Sequence, residues 1–109
     1  MSQAAQIRDV FDAIADPTRR RLIHLLSDVD ELPLHEITMH FPMGRTAVSK
    51  HLTILKKASL VHDRRVGRET RYKLNASPLK AVEDWVAFYS KYWNNNMMRL
   101  GRLLEEDAE

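Results

Sequence analysis

The sequence predicts a mainly α chain with one small β-hairpin, on three observations. Apolar residues recur at helical spacing in five stretches, the period changes to strict alternation near residues 70–74, and prolines beside capping residues mark the boundaries. A chain of 109 residues is one domain, residues 1–109, around a single hydrophobic core. There is no cysteine, which excludes disulfides, thiolate metal sites and cysteine nucleophiles. Gly44, Gly67 and Gly101 are too few and too scattered for a phosphate-cradling loop. The longest apolar run, Trp85 to Tyr89, is far short of the ~20 residues that span a bilayer. The opening MSQAAQIRDV lacks the apolar core of a signal peptide, so a cytoplasmic chain with no membrane partner is expected.

Ile7, Val10, Phe11 and Ile14 recur at i, i+3, i+4, i+7 and form one face of a first helix. Asp16 caps a second helix with Pro17 at its first position, and Leu22, Leu25 and Leu26 form its buried stripe. Polar residues from Ser27 to Glu31 make a loop. Pro33 opens a short third helix, with Leu34, Ile37 and Phe41 inward and Pro42 ending it. A turn at Pro42-Met43-Gly44 leads into a fourth helix from about Arg45 to Ala58, with core positions Val48, Leu52 and Leu55. Two helices joined by a short glycine-containing turn, about residues 34–58, are a helix-turn-helix. A hairpin follows over about 60–75: Val61 to Arg65 pairs with Thr70 to Leu74 through a turn around Val66-Gly67-Arg68-Glu69. A basic hairpin placed there is a wing, so the predicted fold is a winged helix-turn-helix.

Ser77 and Pro78 start a last helix that runs to about Glu106, roughly 43 Å at ~1.5 Å per residue. Leu79, Val82, Val86, Tyr89 and Trp93 give a heptad-like stripe, widened by Trp85, Phe88 and Tyr92. So broad an apolar face exceeds what a domain of this size covers, and a second copy is the simplest cover. Asn94-Asn95-Asn96 and Gly101 are weak helix formers where a bend or fray is expected.

Seventeen basic and fifteen acidic side chains give a net charge of only +2. Its distribution is uneven: residues 44–73 hold nine bases against Asp63 and Glu69, a local +7 that leaves −5 for the rest. This is the footprint of a polyanion-binding face. A helix fits the DNA major groove and its early side chains reach base edges or phosphates. Arg45, Thr46, Ser49, Lys50 and Thr53 lie opposite the core stripe of the fourth helix and are the candidates for that contact. His51 borders the core stripe, where a phosphate contact competes with a packed histidine bonded to a backbone carbonyl. On the hairpin, Arg64, Arg65, Arg68 and Arg71 read as cations without matching acids, suited to the DNA backbone. The Arg19-Arg20-Arg21 run is expected to pair locally with Asp16 or Asp12.

The stretches FDAIADPTRRRLIHLL, LHEITMHFPMGRTAVSKHLTILKKASLV and DRRVGRETRYKL together resemble the ArsR/SmtB-type winged-helix transcriptional repressors over about residues 7–75. The long last helix with Trp85, Tyr92 and Trp93 is similar to the branch encoded beside SRPBCC (START-like) proteins. The resemblance implies a homodimer joined through the first and last helices, about residues 1–15 and 78–106. Ile7, Val10, Phe11, Ile14, Val82, Trp85, Val86, Tyr89 and Trp93 are then its interface candidates. It also implies that the fourth helix reads an inverted-repeat operator in double-stranded DNA. The metal-sensing members carry a Cys-x-Cys type motif in the third helix, where this chain has LHEITMHF, and EDWVAFYSKYW lacks the ligands others place on the last helix. Gly44 stands at the cap of the fourth helix, where the family often has Ser.

No catalytic set, cofactor or metal site is expected: the histidines are scattered, and the carboxylates of the last helix have no partner constellation. Two rival readings remain. One is a winged helix turned to protein contacts as an adaptor, which the +7 segment disfavours. The other is a sensor switched by a small molecule, of unknown identity, in an apolar pocket at the dimer interface, lined by Trp85, Tyr89, Tyr92 and Trp93.

Overall fold

The computed structural model describes residues 9–108, with side chains at residues 9–94 and 99–105. The chain divides into two compact units, one ending at Leu79 and one starting at Lys80. The elements of the first are α1 (Val10–Ala13), α2 (Pro17–Ser27), β1 (Leu32–Pro33), α3 (Leu34–Thr38), α4 (Arg45–Lys57), β2 (Val61–Val66) and β3 (Glu69–Leu74).

Asp9 opens α1 by accepting the Asp12 N–H at 2.8 Å. Ile7 lies outside the described residues. Asp16 caps α2 by accepting the Arg19 N–H at 3.1 Å, and Pro17 takes the first turn, where no helical N–H partner is needed. Leu22 and Leu26 are fully buried, whereas Leu25, expected beside them, is half-buried. The core is completed by Ala13, Ile37, Val48, Leu52, Leu55, Leu60 and Val61, with Val10 and Tyr72 at its margin.

The boundaries around β1 and α3 differ from the sequence expectation. The loop after α2 is interrupted by β1, which adds a third antiparallel strand in the order β1-β3-β2, pairing Leu32 with Tyr72 and Pro33 with Arg71. Pro33 therefore ends an edge strand and stands as the extended N-cap of α3, a place where its missing N–H costs little. Next, α3 stops at Thr38 instead of Pro42. The N–H groups of Met39, His40 and Phe41 bond back three residues, to Glu36, Ile37 and Thr38, so the helix tightens and unwinds before Pro42. Phe41 consequently sits half-buried outside the helix, with the Arg21 guanidinium 5.0 Å above its ring.

The hairpin holds the expected register and extends it by one residue at each turn-side end, pairing Val66 with Glu69 and Val61 with Leu74. Gly67 and Arg68 form the two-residue turn. Gly67 has φ +62° while Arg68 keeps a negative φ, which is the first-position glycine of a type II′ turn. At the end of α4, Ala58 caps and Ser59 adopts φ 62°. The Leu60 N–H returns to the Leu55 carbonyl at 3.0 Å and the Ser59 N–H to Lys56 at 2.9 Å, a Schellman motif closed by the buried pair Leu55 and Leu60.

The second unit is the body of α5, Leu79–Ala108, a continuous helix of about 45 Å. It begins after Pro78 instead of at it: the Ser77 hydroxyl turns back to Asn75 Oδ1 at 3.1 Å and does not cap the helix. The bend expected at Asn94–Asn96 and Gly101 does not interrupt the helix. Trp85, Phe88, Tyr89, Tyr92 and Trp93 are exposed along it, with Trp85 and Phe88 each edge-on to Tyr89. Among the described residues, no helix is long and apolar enough to cross a membrane.

Candidate nucleic-acid interface

Helix α4 has two chemically distinct sides. Val48, Leu52 and Leu55 are completely buried, so the helix cannot rotate about its axis without exposing its core stripe. That constraint turns Arg45, Thr46, Lys50 and Thr53 outward as exposed residues, with Ser49 half-buried beside them. Thr53 spends its hydroxyl hydrogen on the Ser49 carbonyl at 3.0 Å and keeps only an acceptor to offer. Gly44 starts the helix with no side-chain bond to the first turn. Lys56 near the far end pairs with Asp63 of β2 at 3.0 Å.

The start of α4 and the tip of the wing share one concavity. It encloses about 470 Å³ and is lined by Leu34, His35, Arg45, Arg65, Val66, Arg68, Glu69 and Thr70. Residues proposed separately from sequence, Arg45 on the helix and Arg65 and Arg68 on the hairpin, thus face one hollow. His35, the histidine of α3, joins them and carries no sequence signal beyond its residue type. Among the described residues, no carboxylate pairs with Arg65 or Arg68.

The other two wing arginines correct the expectation of cations without acids. Arg64 and Arg71 stand directly opposite each other on β2 and β3, an unfavourable like-charge pair. Glu31, just before β1, resolves it. Its carboxylate accepts from Arg64 Nη2 at 2.6 Å and Nε at 3.0 Å, and from Arg71 Nη1 at 3.5 Å. Arg71 Nε also donates to Glu69 at 2.8 Å. The hydrogen bonds from Arg64, with the charges of Arg64 and Arg71, outweigh burial and hold the Glu31 carboxyl below its ordinary value of 4.5. Glu31 escaped notice because it lies outside the basic segment. The available signal was the pairing of Arg64 with Arg71, which calls for an acid nearby.

Arg19 is buried, and besides the expected attraction between its charge and Asp16 its guanidinium makes further bonds. Its Nε donates to the Ala13 carbonyl at 2.7 Å, Nη2 to the Asp12 carbonyl at 3.3 Å, and Nη1 lies 3.3 Å from His51 Nδ1. With Arg20 donating to the Ile14 carbonyl at 2.7 Å, these arginines bond the Ala13 and Ile14 carbonyls at the end of α1 and share that of Asp12 with the Ala15 N–H. Burial works to raise the Asp16 carboxyl, but the N–H and guanidinium of Arg19, with the His51 charge and the Thr18 N–H, together outweigh it and hold the group below its ordinary value of 3.8. His51 is thus packed against an arginine side chain and not against a backbone carbonyl.

Of the interface candidates on α1, Val10 is buried within the chain, Ile14 is half-buried and Phe11 is exposed. On α5, Trp85, Tyr89 and Trp93 are exposed and Val82 and Val86 half-buried. Trp85, Val86, Tyr89, Tyr92 and Trp93 outline an open apolar hollow of about 450 Å³. Among the described residues, no three His, Asp or Glu side chains gather where they could hold a metal ion.

Residues 16–63, from the cap of α2 into β2, match the family described as bacterial regulatory protein, arsR family. The chain is 34% identical over 91 residues to the transcriptional repressor SdpR of Bacillus subtilis, covering 84% of this chain and 100% of that protein. It is 30% identical over 99 residues to the HTH-type transcriptional regulator Rv2034 of Mycobacterium tuberculosis, covering 91% and 89%. A crystal structure of an ArsR family transcriptional regulator superposes with a TM-score of 0.69 at 29% identity, over 85% of this chain and 92% of that one. With its winged helix-turn-helix and basic concavity, the chain belongs to the ArsR family, as a DNA-binding transcriptional regulator and not an enzyme.

Proposed function

We propose that the protein is a homodimeric repressor that binds an inverted-repeat operator and represses by occupying a promoter. In this reading α4 of each copy enters one of two major grooves about 34 Å apart, and the wings hold the flanking backbone. The observation that carries it is the shared concavity, where Arg45, Arg65 and Arg68 converge from two elements and, among the described residues, no carboxylate pairs with the two wing residues. Such a hollow suits a phosphate strand running between helix and wing, while Thr46, Ser49 and Lys50 on the outer side of α4 reach base edges. The exposed aromatic stripe of α5 supports pairing with a second copy, because isolated apolar patches of that breadth seek cover. Phe11 on α1 offers a further exposed contact.

Selection of duplexes from a random library by the purified full-length protein tests this. The expected product is one enriched inverted repeat whose half-sites lie about one helical turn, or a multiple of it, apart. A library that emerges without an enriched motif would remove the operator-reading role.

A further inference from the structure

Among the described residues Arg19 is the charged side chain that the fold buries, at 9% exposure, and a guanidinium is costly to bury unless its donors find acceptors. Two of its groups close carbonyls at the end of α1, and the third reaches His51 Nδ1 at 3.3 Å on α4. A guanidinium can only donate, so the nitrogen facing it must offer its lone pair. The ring proton of His51 is then on Nε2. Asp16 Oδ2 lies 3.9 Å from the same nitrogen, close enough for charge attraction but beyond hydrogen-bond reach, so the hydrogen bond at Nδ1 is the one from Arg19. Among the described residues Nε2 has no partner, and no buried side-chain nitrogen or oxygen there lacks one. Nε2–H therefore opens to solvent. Helical spacing puts His51 on the flank of α4 between its buried stripe and its donor face, where the wall of a major groove would pass.

We propose that Arg19 is a positioning residue for DNA binding: by holding Nδ1, it fixes His51 as an Nε2–H donor aimed at a DNA phosphate. The proposal rests on the reading of α4 as the helix that contacts DNA. It gives the buried arginine a functional task besides closing α1, and makes the end of α1 part of what sets the donor's direction.

Ring nitrogen shifts of His51 in the free protein, read by two-bond ¹H–¹⁵N NMR, test the first half. The Nε2–H tautomer is expected, and an Nδ1–H tautomer overturns the proposal. Two folded variants test the second half on the selected operator. His51→Gln keeps a donor near the ε position, whereas His51→Asn keeps only the δ-position acceptor that satisfies Arg19. Gln, which keeps the donor but gives Arg19 no δ-position acceptor to hold, should bind between the wild type and Asn, and Asn roughly tenfold more weakly than the wild type, the loss of a hydrogen bond to a charged acceptor. Both should keep the wild-type salt slope, because a neutral donor releases no counterion. Equal affinities for Gln and Asn overturn the proposal. Ser49→Ala and Lys50→Ala run alongside separate the two levels. If they weaken operator binding while Gln and Asn behave alike, only the His51 role fails; if they change nothing, the reading of α4 fails with it.

Discussion

Arg64 and Arg71 face each other across β2 and β3, and Glu31 stands between them with a bidentate grip on Arg64. The four wing arginines are therefore not equivalent: among the described residues two are paired with carboxylates and two, Arg65 and Arg68, are not. Salt dependence should register the difference, since each phosphate contact adds about one to the slope of log affinity against log salt. Arg68→Ala should lower affinity on every duplex and flatten the slope by about one, while Arg71→Ala leaves the slope nearly unchanged. Equal slopes for the two variants would contradict this division. Glu31 also gives the wing an acid limit. Its carboxyl lies below the ordinary 4.5 in the folded chain, so its contribution is complete above that value. The contribution is lost as pH falls through the lowered folded value, where protonation undoes the staple. Thermal melts below pH 4.5 should therefore decline more steeply for the wild type than for Glu31→Gln, and parallel declines would show that the staple contributes nothing.

At the scale of elements, the parts most legible in the sequence are those whose signal is periodic and long. Helix α4 follows from Val48, Leu52 and Leu55, and the hairpin from alternation with Gly67 at its turn. What was illegible is short or locally ambiguous. Strand β1 has only two residues, too few to alternate, and one of them is proline. Phe41 continues the i, i+4 spacing from Ile37, so pattern alone carries α3 past the point where the backbone has to unwind for Pro42. Ser77 looks like a cap but spends its hydroxyl on Asn75. The candidate site followed the same rule: single side chains on α4 and the wing were readable, whereas Glu31, His35 and the Arg19–His51 contact depend on tertiary neighbours. Ser59 is a further case, a non-glycine residue in the left-handed region that ends α4. Ser59→Gly should relieve that cost, partly offset by the greater freedom of glycine in the unfolded chain. A net gain of about 0.5–1 kcal/mol, or a few degrees in Tm, is expected with DNA affinity unchanged. A lower Tm would show that the serine side chain contributes more than its backbone strain costs.

For the whole molecule, α5 carries the assembly claim. Its aromatic stripe is exposed within one chain, and Tyr89 lies at its centre, edge-on to Trp85 and Phe88. Tyr89→Glu puts a charge into that patch and should convert a dimer to a monomer in sedimentation experiments while leaving binding to a single half-site intact. A variant that stays dimeric would move the interface elsewhere. The account as a whole turns on α4 reading sequence while the wing supplies general grip. Fluorescence anisotropy of the wild type and Ser49→Ala against the selected operator and a scrambled duplex, each titrated across salt, tests it most directly. The account predicts tight, salt-steep, selective binding by the wild type. It also predicts a loss of roughly tenfold for Ser49→Ala on the operator, with little change on the scrambled duplex. Equal binding of both duplexes by the wild type, or equal losses on both for Ser49→Ala, would contradict it.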